Sequence, residues 1–191
     1  MTGTTVNGLD VSAYQPTYDA SGCAFVFIKA TEGHTWTSPA LAKQTAAARD
    51  AGAVVGFYHF LWPGDIASQA AHFVARCGSA PGDILACDWE TTTDGTAAPC
   101  AQKDAFLAEV RRLRPKNKVV LYCNTDFWLH RDTTSDCGDG LWIADVTTAG
   151  HPRIQHAWRF HQYSSSGGLD RNVADFASHT ALRSWAREPL A

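Results

Sequence analysis

Residues 54–90 read VVGFYHFLWPGDIASQAAHFVARCGSAPGDILACDWE, and this stretch contains the unit from which the fold is predicted. Two short apolar runs, Val54 to Phe60 and Ile84 to Glu90, flank a segment from Asp65 to Arg76 that has helical spacing. Apolar runs of this length are typical of buried strands, and a helix between two of them is typical of a parallel βαβ unit. The stretch therefore predicts an α/β protein built on a mostly parallel sheet.

The same alternation continues in both directions along the chain. We predict eight strands, near Gly8 to Ser12, Ala24 to Ala30, Val54 to Phe60, Ile84 to Glu90, Lys118 to Asn124, Leu141 to Val146, Trp158 to Tyr163 and Leu169 to Val173. The other predicted helices run from Ser38 to Ala51, from Pro99 to Leu113 and from Asp175 to Arg187. After about Leu141 the strands are too closely spaced for crossover helices, so the second half should be helix-poor. No linker or repeat interrupts the chain, and we expect residues 1–191 to form a single domain.

The composition argues against several classes of partner. The net charge is -3, and the 16 Lys and Arg residues include no basic run, so we expect no nucleic-acid partner and no membrane partner. No apolar stretch approaches the roughly 20 residues that span a bilayer. Residues 1–5 lack the features of a signal peptide, so we expect either synthesis in the cytoplasm or a sequence recorded without its leader.

The cysteines and histidines do not show the spacing of a metal site. Six cysteines are present without a CxxC pair, and His151, His156 and His161 are five residues apart, which matches neither a helix face nor the usual metal pairs. Disulfides and buried free thiols both remain possible readings of the cysteines. We expect no metal and no other cofactor.

Polar side chains able to do chemistry fall at the ends of several predicted strands. They are Asp10, Lys29, Tyr58, Asp88, Glu90, Tyr122, Asn124, Gln162 and Asp170, with Trp142 on the sixth strand. In a β/α barrel the active site lies at the rim formed by the carboxyl ends of the strands. We expect strands one, four and eight, which carry the four acids, to be neighbours in the closed barrel. The alternative is that polarity simply resumes where a strand ends.

Asp88 and Glu90 are the most specific indication of a catalytic site, because residues two apart on a strand point to the same face. Two carboxyl groups in one apolar cavity should have separated pKa values, which leaves one protonated and one ionised. Glycoside hydrolysis needs that division of roles. Two alternatives stay open: either acid could form an ion pair with Lys29, or both could hold a divalent cation.

Aromatic residues are the second indication of a carbohydrate substrate. They make up 11% of the chain, and many fall at or just past strand ends: Tyr14, Tyr58, Trp62, Trp89, Tyr122, Trp142 and Tyr163. A saccharide groove needs such rings, although about half of them should be barrel core. His59 should point away from the acidic pair if Tyr58 points toward it, so we predict that it is a structural histidine. No Gly-x-Ser-x-Gly, P-loop or Gly-x-Gly-x-x-Gly motif supports serine hydrolase or nucleotide chemistry.

Eight short segments together resemble glycoside hydrolase family 25, the muramidases of bacteria, some fungi and many phage endolysins. In order they are GLDVSAYQ at 8–15, FIKATEG at 27–33, GFYHF at 56–60, DWE at 88–90, LYCN at 121–124, LWIA at 141–144, HQYS at 161–164 and LDRN at 169–172. The resemblance implies a flattened, irregular β/α barrel that hydrolyses the β-1,4 bond between N-acetylmuramic acid and N-acetylglucosamine with retention. By position Glu90 matches the family's proton donor, and Asp10, Asp88 and Asp170 match its other active-site acids.

The chain departs from the family pattern in two places. Asp145 and Val146 stand where an aromatic residue often follows the Leu-Trp-x-Ala motif, and Ala174 stands where an aromatic often follows Asp-x-Asn. Neither departure touches the four acids, but both concern the outer contacts of the groove. We expect Lys29, Tyr58, Tyr122, Asn124, Trp142 and Gln162 to contact the substrate.

The mechanism that we expect is substrate-assisted, because two carboxylates two residues apart on one strand have the geometry that it needs. Glu90 would act as general acid and then as base, while Asp88 would orient the substrate's 2-acetamido group for attack on the anomeric carbon. Direct attack by Asp88 or Asp10 is the competing version, and Asp170 would position Asp10 or the sugar.

Two other functions remain as alternatives at this stage, a non-hydrolytic wall-binding barrel and a metal-dependent polysaccharide deacetylase. We expect a monomer that acts on peptidoglycan glycan strands outside the membrane, either as a phage endolysin made in the host cytoplasm or as a secreted protein.

Overall fold

The computed structural model describes residues 4–188. Its strands are β1 (Val6–Val11), β2 (Phe25–Glu32), β3 (Trp36–Thr37), β4 (Val54–Phe60), β5 (Ile84–Asp88), β6 (Lys118–Asn124), β7 (Leu141–Ala144), β8 (Phe160–Ser164) and β9 (Asp170–Ala174). Its α-helices are α1 (Leu41–Asp50), α2 (Ile66–Arg76), α3 (Cys100–Leu113) and α4 (His179–Arg187). Each predicted strand and helix has a counterpart here, and the two-residue β3 is an addition.

Eight strands close into a barrel. The hydrogen-bonded order is β1-β9-β8-β7-β6-β5-β4-β2, and β1 also pairs with β2, which completes the ring; β3 flanks the outer end of β2. This confirms the predicted irregular α/β barrel. β1, β2 and β4 to β8 run parallel, whereas β9 is antiparallel to both of its neighbours. Only residues 165–169 connect β8 to β9, and so short a connection suits an antiparallel pair rather than a crossover.

Helices cover the first half of the barrel and are scarce in the second half, as predicted. α1, α2 and α3 all lie before Arg114. Between α3 and α4 the only helical segments of the described chain are a π-helical turn, Phe127–Arg131, and a 3-10 turn, Ser166–Gly168. α2 begins one residue later than predicted because Asp65 is its N-cap, accepting a hydrogen bond from the Ser68 backbone N at 3.1 Å.

Strand alternation separates the apolar residues into two layers. Inside the barrel, the ring of Phe27 stacks on Trp142 with centroids 4.1 Å apart, and Phe160 packs edge-on against Phe27. Between the strands and the helices lies a second layer that includes Phe73 of α2 and Phe106 of α3. The burial of both layers is the main stabilising contribution to the fold.

β4 shows how this alternation orients polar residues. Tyr58 belongs to the interior cluster, whereas His59 points outward and is fully buried between Thr31 Oγ1 at 2.8 Å and Gln69 Oε1 at 3.1 Å. Burial lowers the pKa of His59 to about 3, so the ring is neutral near pH 7. The prediction of a structural histidine is confirmed.

One end of the barrel is closed by α4. Leu182 and Ala186 belong to the interior cluster, and Trp185 packs on Phe176 with centroids 5.3 Å apart. Arg187 of α4 lies against Gly82, which precedes β5, so this helix sits at the amino ends of the parallel strands. The barrel interior therefore opens at the carboxyl ends of those strands.

The cysteines lie outside the barrel interior. Cys87 and Cys123 are buried in the layer between strands and helices, as strand alternation predicts, and all six cysteines of the described chain are free thiols. None of the helices in residues 4–188 is long and apolar enough to cross a bilayer.

Candidate active site

A cavity of about 250 Å³ occupies the open mouth of the barrel. It is lined by Asp10, Tyr58, Asp88, Glu90, Tyr122, Trp142, Gln162 and Asp170. These are all four predicted acids and four of the six predicted substrate contacts. A larger recess of about 410 Å³ on the flank of the barrel is lined by Asp19, Cys23 and Arg171 among others, but by none of the four predicted acids.

The acids reach the mouth from opposite sides. Asp10 of β1 is directly paired with Asp170, the first residue of β9, and Asp170 reaches this rim because β9 runs in the reverse direction. Asp88 is the last residue of β5, which is separated from β1 by β2 and β4. The expectation that the three acid-bearing strands are neighbours is therefore wrong for β5, which faces β1 and β9 across the cavity.

Glu90 lies just beyond the strand on which it was predicted. β5 ends at Asp88, although the Trp89 backbone N still donates to Tyr122 O at 2.9 Å. Trp89 points away from the barrel interior into the apolar layer between strands and helices, where its Nε1 donates to Ala98 O at 2.7 Å. Asp88 and Glu90 thus still point into one cavity, as their spacing predicts.

Asp10 is held by two amide side chains. Its Oδ2 accepts hydrogen bonds from Gln162 Nε2 at 2.8 Å and from Asn172 Nδ2 at 2.7 Å. The amides are fixed in turn, because Tyr122 OH donates to Gln162 Oε1 at 3.0 Å and Trp142 Nε1 donates to Asn172 Oδ1 at 2.8 Å. Burial and the nearby charge of Asp170 raise the pKa of Asp10 to about 7, although both amide hydrogen bonds favour its ionised form.

Asn172 is a site residue that the sequence reasoning did not single out. The sequence spacing could have predicted it, because Asn172 lies two residues after Asp170 on the same strand and therefore on the same face. Its position in the LDRN segment is what brings its amide to Asp10.

Asp88 and Glu90 are carboxyl groups in surroundings that favour protonation. Burial raises the pKa of Asp88 well above its usual range, and the charge of Glu90 adds to the rise. Burial also raises the pKa of Glu90. The ammonium group of Lys29 opposes the rise at both acids, and a hydrogen bond with Asp88 opposes it at Glu90. The pair therefore retains a proton at a higher pH than exposed carboxyl groups do. In residues 4–188, the Oδ1 atom of Asp88 is also buried without a hydrogen-bond partner.

Two predicted substrate contacts lie outside the lining of this cavity. Lys29 Nζ forms an ion pair with Glu32 Oε2 at 2.7 Å, so its direct partner is neither Asp88 nor Glu90. Asn124 Oδ1 accepts a hydrogen bond from the Phe127 backbone N at 2.9 Å, at the start of the π-helical turn. Within residues 4–188 no cluster of three potential metal-ligating side chains is found.

The two departures from the family pattern have clear structural roles. Asp145 is buried and accepts hydrogen bonds from the backbone and guanidinium of Arg153, which ties the loop after β7 together, while Val146 is exposed. Ala174 is buried in the interior cluster. Neither position lines the acidic cavity.

Comparison with known proteins indicates the family of this chain. The family model described as glycosyl hydrolases family 25 matches residues 9–171. An N,O-diacetylmuramidase from Chalaropsis sp. is 40% identical over 144 residues, which cover 65% of this chain and 68% of that protein. An autolytic lysozyme from Clostridium acetobutylicum is 29% identical over 175 residues; the match covers 86% of this chain but only 52% of the relative.

The fold comparison leads to the same family. The structure of a family GH25 lysozyme from Aspergillus fumigatus superposes with a TM-score of 0.84 at 25% identity, covering 97% of this chain and 100% of that one. The family match extends from the residue before Asp10 to the residue after Asp170, and so includes all four acids. The chain therefore belongs to family 25 of the glycosyl hydrolases and is a glycoside hydrolase.

Proposed function

We propose that this protein is a lysozyme that hydrolyses the β-1,4 bond between N-acetylmuramic acid and N-acetylglucosamine in peptidoglycan. The observation that carries the proposal is the pair of buried Asp88 and half-buried Glu90 in the mouth of the barrel, facing Asp10 and Asp170. The names of the relatives, a diacetylmuramidase and an autolytic lysozyme, support the substrate.

Glu90 is the proposed general acid and base. Burial raises its pKa, so it can carry a proton to the leaving glycosidic oxygen, and the same carboxylate can then accept a proton from water. Glu90 is also less enclosed than Asp88, which is nearly inaccessible to solvent. That difference suits a group that must exchange its proton with water during each turnover.

Asp88 is proposed to act on the substrate's 2-acetamido group. Its Oδ1 atom is buried and has no hydrogen-bond partner among the residues that the structure describes. An acetamido N–H donated to that atom would satisfy it. Such a hydrogen bond favours the ionised form of Asp88, so binding would leave the proton of the pair on Glu90. The acetamido oxygen then forms a bond to the anomeric carbon as the glycosidic bond breaks, and attack by water opens the resulting ring with overall retention.

Asp10 is less suited to be the nucleophile. Both amide donors bind its Oδ2 atom and hold the carboxyl group in place, and its raised pKa leaves it partly protonated near neutral pH. We propose that Asp10 and Asp170 position the sugar and shape the charge of the cavity.

Analysis of digestion products tests this proposal. Purified peptidoglycan should yield fragments that end in reducing N-acetylmuramic acid, first released as the β-anomer, and glycans lacking the 2-acetamido group should resist cleavage. Fragments ending in reducing N-acetylglucosamine would contradict the bond assignment. A sugar trapped covalently on Asp88 would replace the substrate-assisted step with direct attack.

The biological setting is part of the same proposal. We propose a monomer that acts on wall glycan strands outside the membrane. Sedimentation of the purified protein tests the monomer, and clearing of permeabilised or isolated cell walls tests the site of action.

A further inference from the structure

A second cleft, of about 380 Å³, lies beside the catalytic mouth. It is lined by the segment from the end of β2 to the start of β3 and by residues just after β4: Glu32, Gly33, His34, Thr35, Trp36, Trp62 and Pro63. β2 and β4 stand between β1 and β5, the strands that bring Asp10 and Asp88 to the mouth. The cleft therefore opens on the same rim as the acids.

The register of the strands places the cleft close to the reacting acids. Glu32 is paired with Phe60, and Phe60 is paired with Asp88. Two strand spacings thus separate Glu32 from Asp88, a distance of about 10 Å between backbones. A glycan strand with one bond at Asp88 and Glu90 can extend over this rim into the cleft.

The cleft presents two tryptophan rings. Trp36 is 39% exposed, which is unusual for so large an apolar side chain, and Trp62 is half-buried. Next to these rings the cleft offers His34 and Thr35, which can hydrogen-bond to hydroxyl and acetamido groups. An aromatic face with polar groups at its edge suits a sugar ring, which has C–H groups on its faces and polar groups around its rim.

Trp62 is held rigidly on both its backbone and its ring. Its backbone N donates to Gln69 Oε1 at 3.0 Å, its backbone O accepts from Gln69 Nε2 at 2.8 Å, and its Nε1 donates to Glu32 Oε1 at 3.0 Å. A ring fixed before binding loses little conformational entropy when it takes up a ligand.

Trp36 is fixed by polar contacts around it. Its backbone O accepts from His72 Nε2 at 3.0 Å, and the Lys29 ammonium lies 5.3 Å from its ring centroid. Lys29 also holds Glu32, the carboxylate that receives the Trp62 indole N–H. The Lys29 and Glu32 ion pair therefore joins the two tryptophans into one arrangement at the edge of the catalytic mouth.

We propose that Trp36 and Trp62 form a subsite for an N-acetylhexosamine residue of the bound glycan strand, remote from the bond that is cleaved. This inference rests on the proposed lysozyme function and adds to it a determinant of chain length. The subsite contributes to binding of long strands and contributes nothing to a substrate too short to reach it.

Kinetics on two substrates test the subsite. Trp36→Ala should lower kcat/KM on polymeric glycan strands by about 3- to 10-fold, in line with the loss of one aromatic contact. Its kcat/KM on the shortest cleavable oligosaccharide should stay as in the wild type. Trp36→Phe should retain most of the activity on the polymer, and Leu129→Ala, which removes exposed apolar surface elsewhere, is the matched control.

A binding measurement separates this inference from the function on which it rests. In a Glu90→Gln background, Trp36→Ala should weaken the binding of long glycan strands, measured by tryptophan fluorescence or calorimetry, by the same factor. Equal losses on long and short substrates, or no loss on either, would overturn the subsite even if the enzyme is a lysozyme. Absence of hydrolysis by the wild type would overturn the function, and the binding result would still decide the subsite.

Discussion

The acids at the mouth owe their chemistry to burial more than to any single partner. Asp10 and Asp88 are nearly inaccessible to solvent, and burial is the largest influence that raises the pKa of each. Asp10 also has two amide donors, whereas one oxygen of Asp88 has none. The two carboxyl groups therefore differ in their hydrogen bonding: Asp10 is held in place by its amide donors, whereas Asp88 has an oxygen that can accept a hydrogen bond from the substrate.

Asp10→Asn should change the pH dependence of stability. The pKa of Asp10 is about 7 in the folded protein and near the ordinary aspartate value of 3.8 in the unfolded chain, so the folded state binds the extra proton between these limits. The wild type should accordingly lose free energy of unfolding as pH rises from about 4 to about 7, up to a few kcal/mol, and Asp10→Asn should lack this loss.

Urea unfolding of both proteins at pH 4.5 and pH 8 measures the effect. The stability of Asp10→Asn relative to the wild type should be greater at pH 8, and Asp126→Asn, at an exposed acid, serves as the control. A difference that is the same at both pH values would show that Asp10 does not carry this burial penalty.

At the residue level, strand alternation predicts which side chains face the cavity, but it does not predict the hydrogen-bond and ion-pair partners of those side chains. It placed Tyr58, Asp88, Glu90 and Tyr122 on the cavity side. It gave no indication that Lys29 would turn to Glu32, because the destination of a long flexible side chain depends on the folded surroundings. Asn124 instead binds the backbone of the next turn, a local role that asparagine often takes.

Among the elements, β4 shows how a small residue makes room for the floor of the active site. A Cβ added to Gly56 would clash with Cδ1 of Phe27, the ring that stacks on Trp142. Trp142 in turn lines the cavity and holds Asn172. The close approach of Phe27 to the β4 backbone therefore affects the position of catalytic side chains.

Gly56→Ala should destabilise the protein by about 1–3 kcal/mol, because the interior has no space for the methyl group. It should also lower activity by displacing Phe27 and Trp142. Thermal unfolding and hydrolysis rates measure the two effects. Phe27→Leu in the same chain should recover part of the loss, and additive effects of the two substitutions would contradict a direct clash.

The elements themselves were largely predictable, with two instructive differences. All eight main strands were predicted, but β3 has only two residues and gives no periodic signal. The direction of β9 depends on which partners it meets after a short connection, so a pattern of apolar residues does not encode it. That reversed strand is nevertheless what brings Asp170 to the mouth.

At the scale of the whole molecule, the barrel separates chemistry from stability. α4 closes the end at the amino termini of the strands, and the open end carries the acids and both tryptophans of the neighbouring cleft. We propose that the chain works as a single catalytic domain. The pairing of β1 with β2 closes the barrel and brings β1 and β5 to opposite sides of one cavity. This arrangement depends on long-range strand pairing, so it could not be predicted from local sequence patterns.

Mild reductants should leave catalysis unchanged. Cys87 and Cys123 are buried between strands and helices, and none of the six cysteines lines the mouth. Hydrolysis rates with and without reductant should agree at any temperature where the circular dichroism is unchanged. Loss of hydrolysis under those conditions would mean that β5 and β6 are turned differently, with Asp88 outside the cavity.

The most direct test of the account is the hydrolysis rate of Glu90→Gln on purified peptidoglycan, measured by the release of reducing ends. Glutamine has nearly the shape of glutamate but cannot deliver a proton, so the rate should fall by about 100- to 10,000-fold. Circular dichroism and the midpoint of thermal unfolding should stay close to those of the wild type. A folded Glu90→Gln protein that releases reducing ends at the wild-type rate would contradict the assignment of catalysis to this pair of acids.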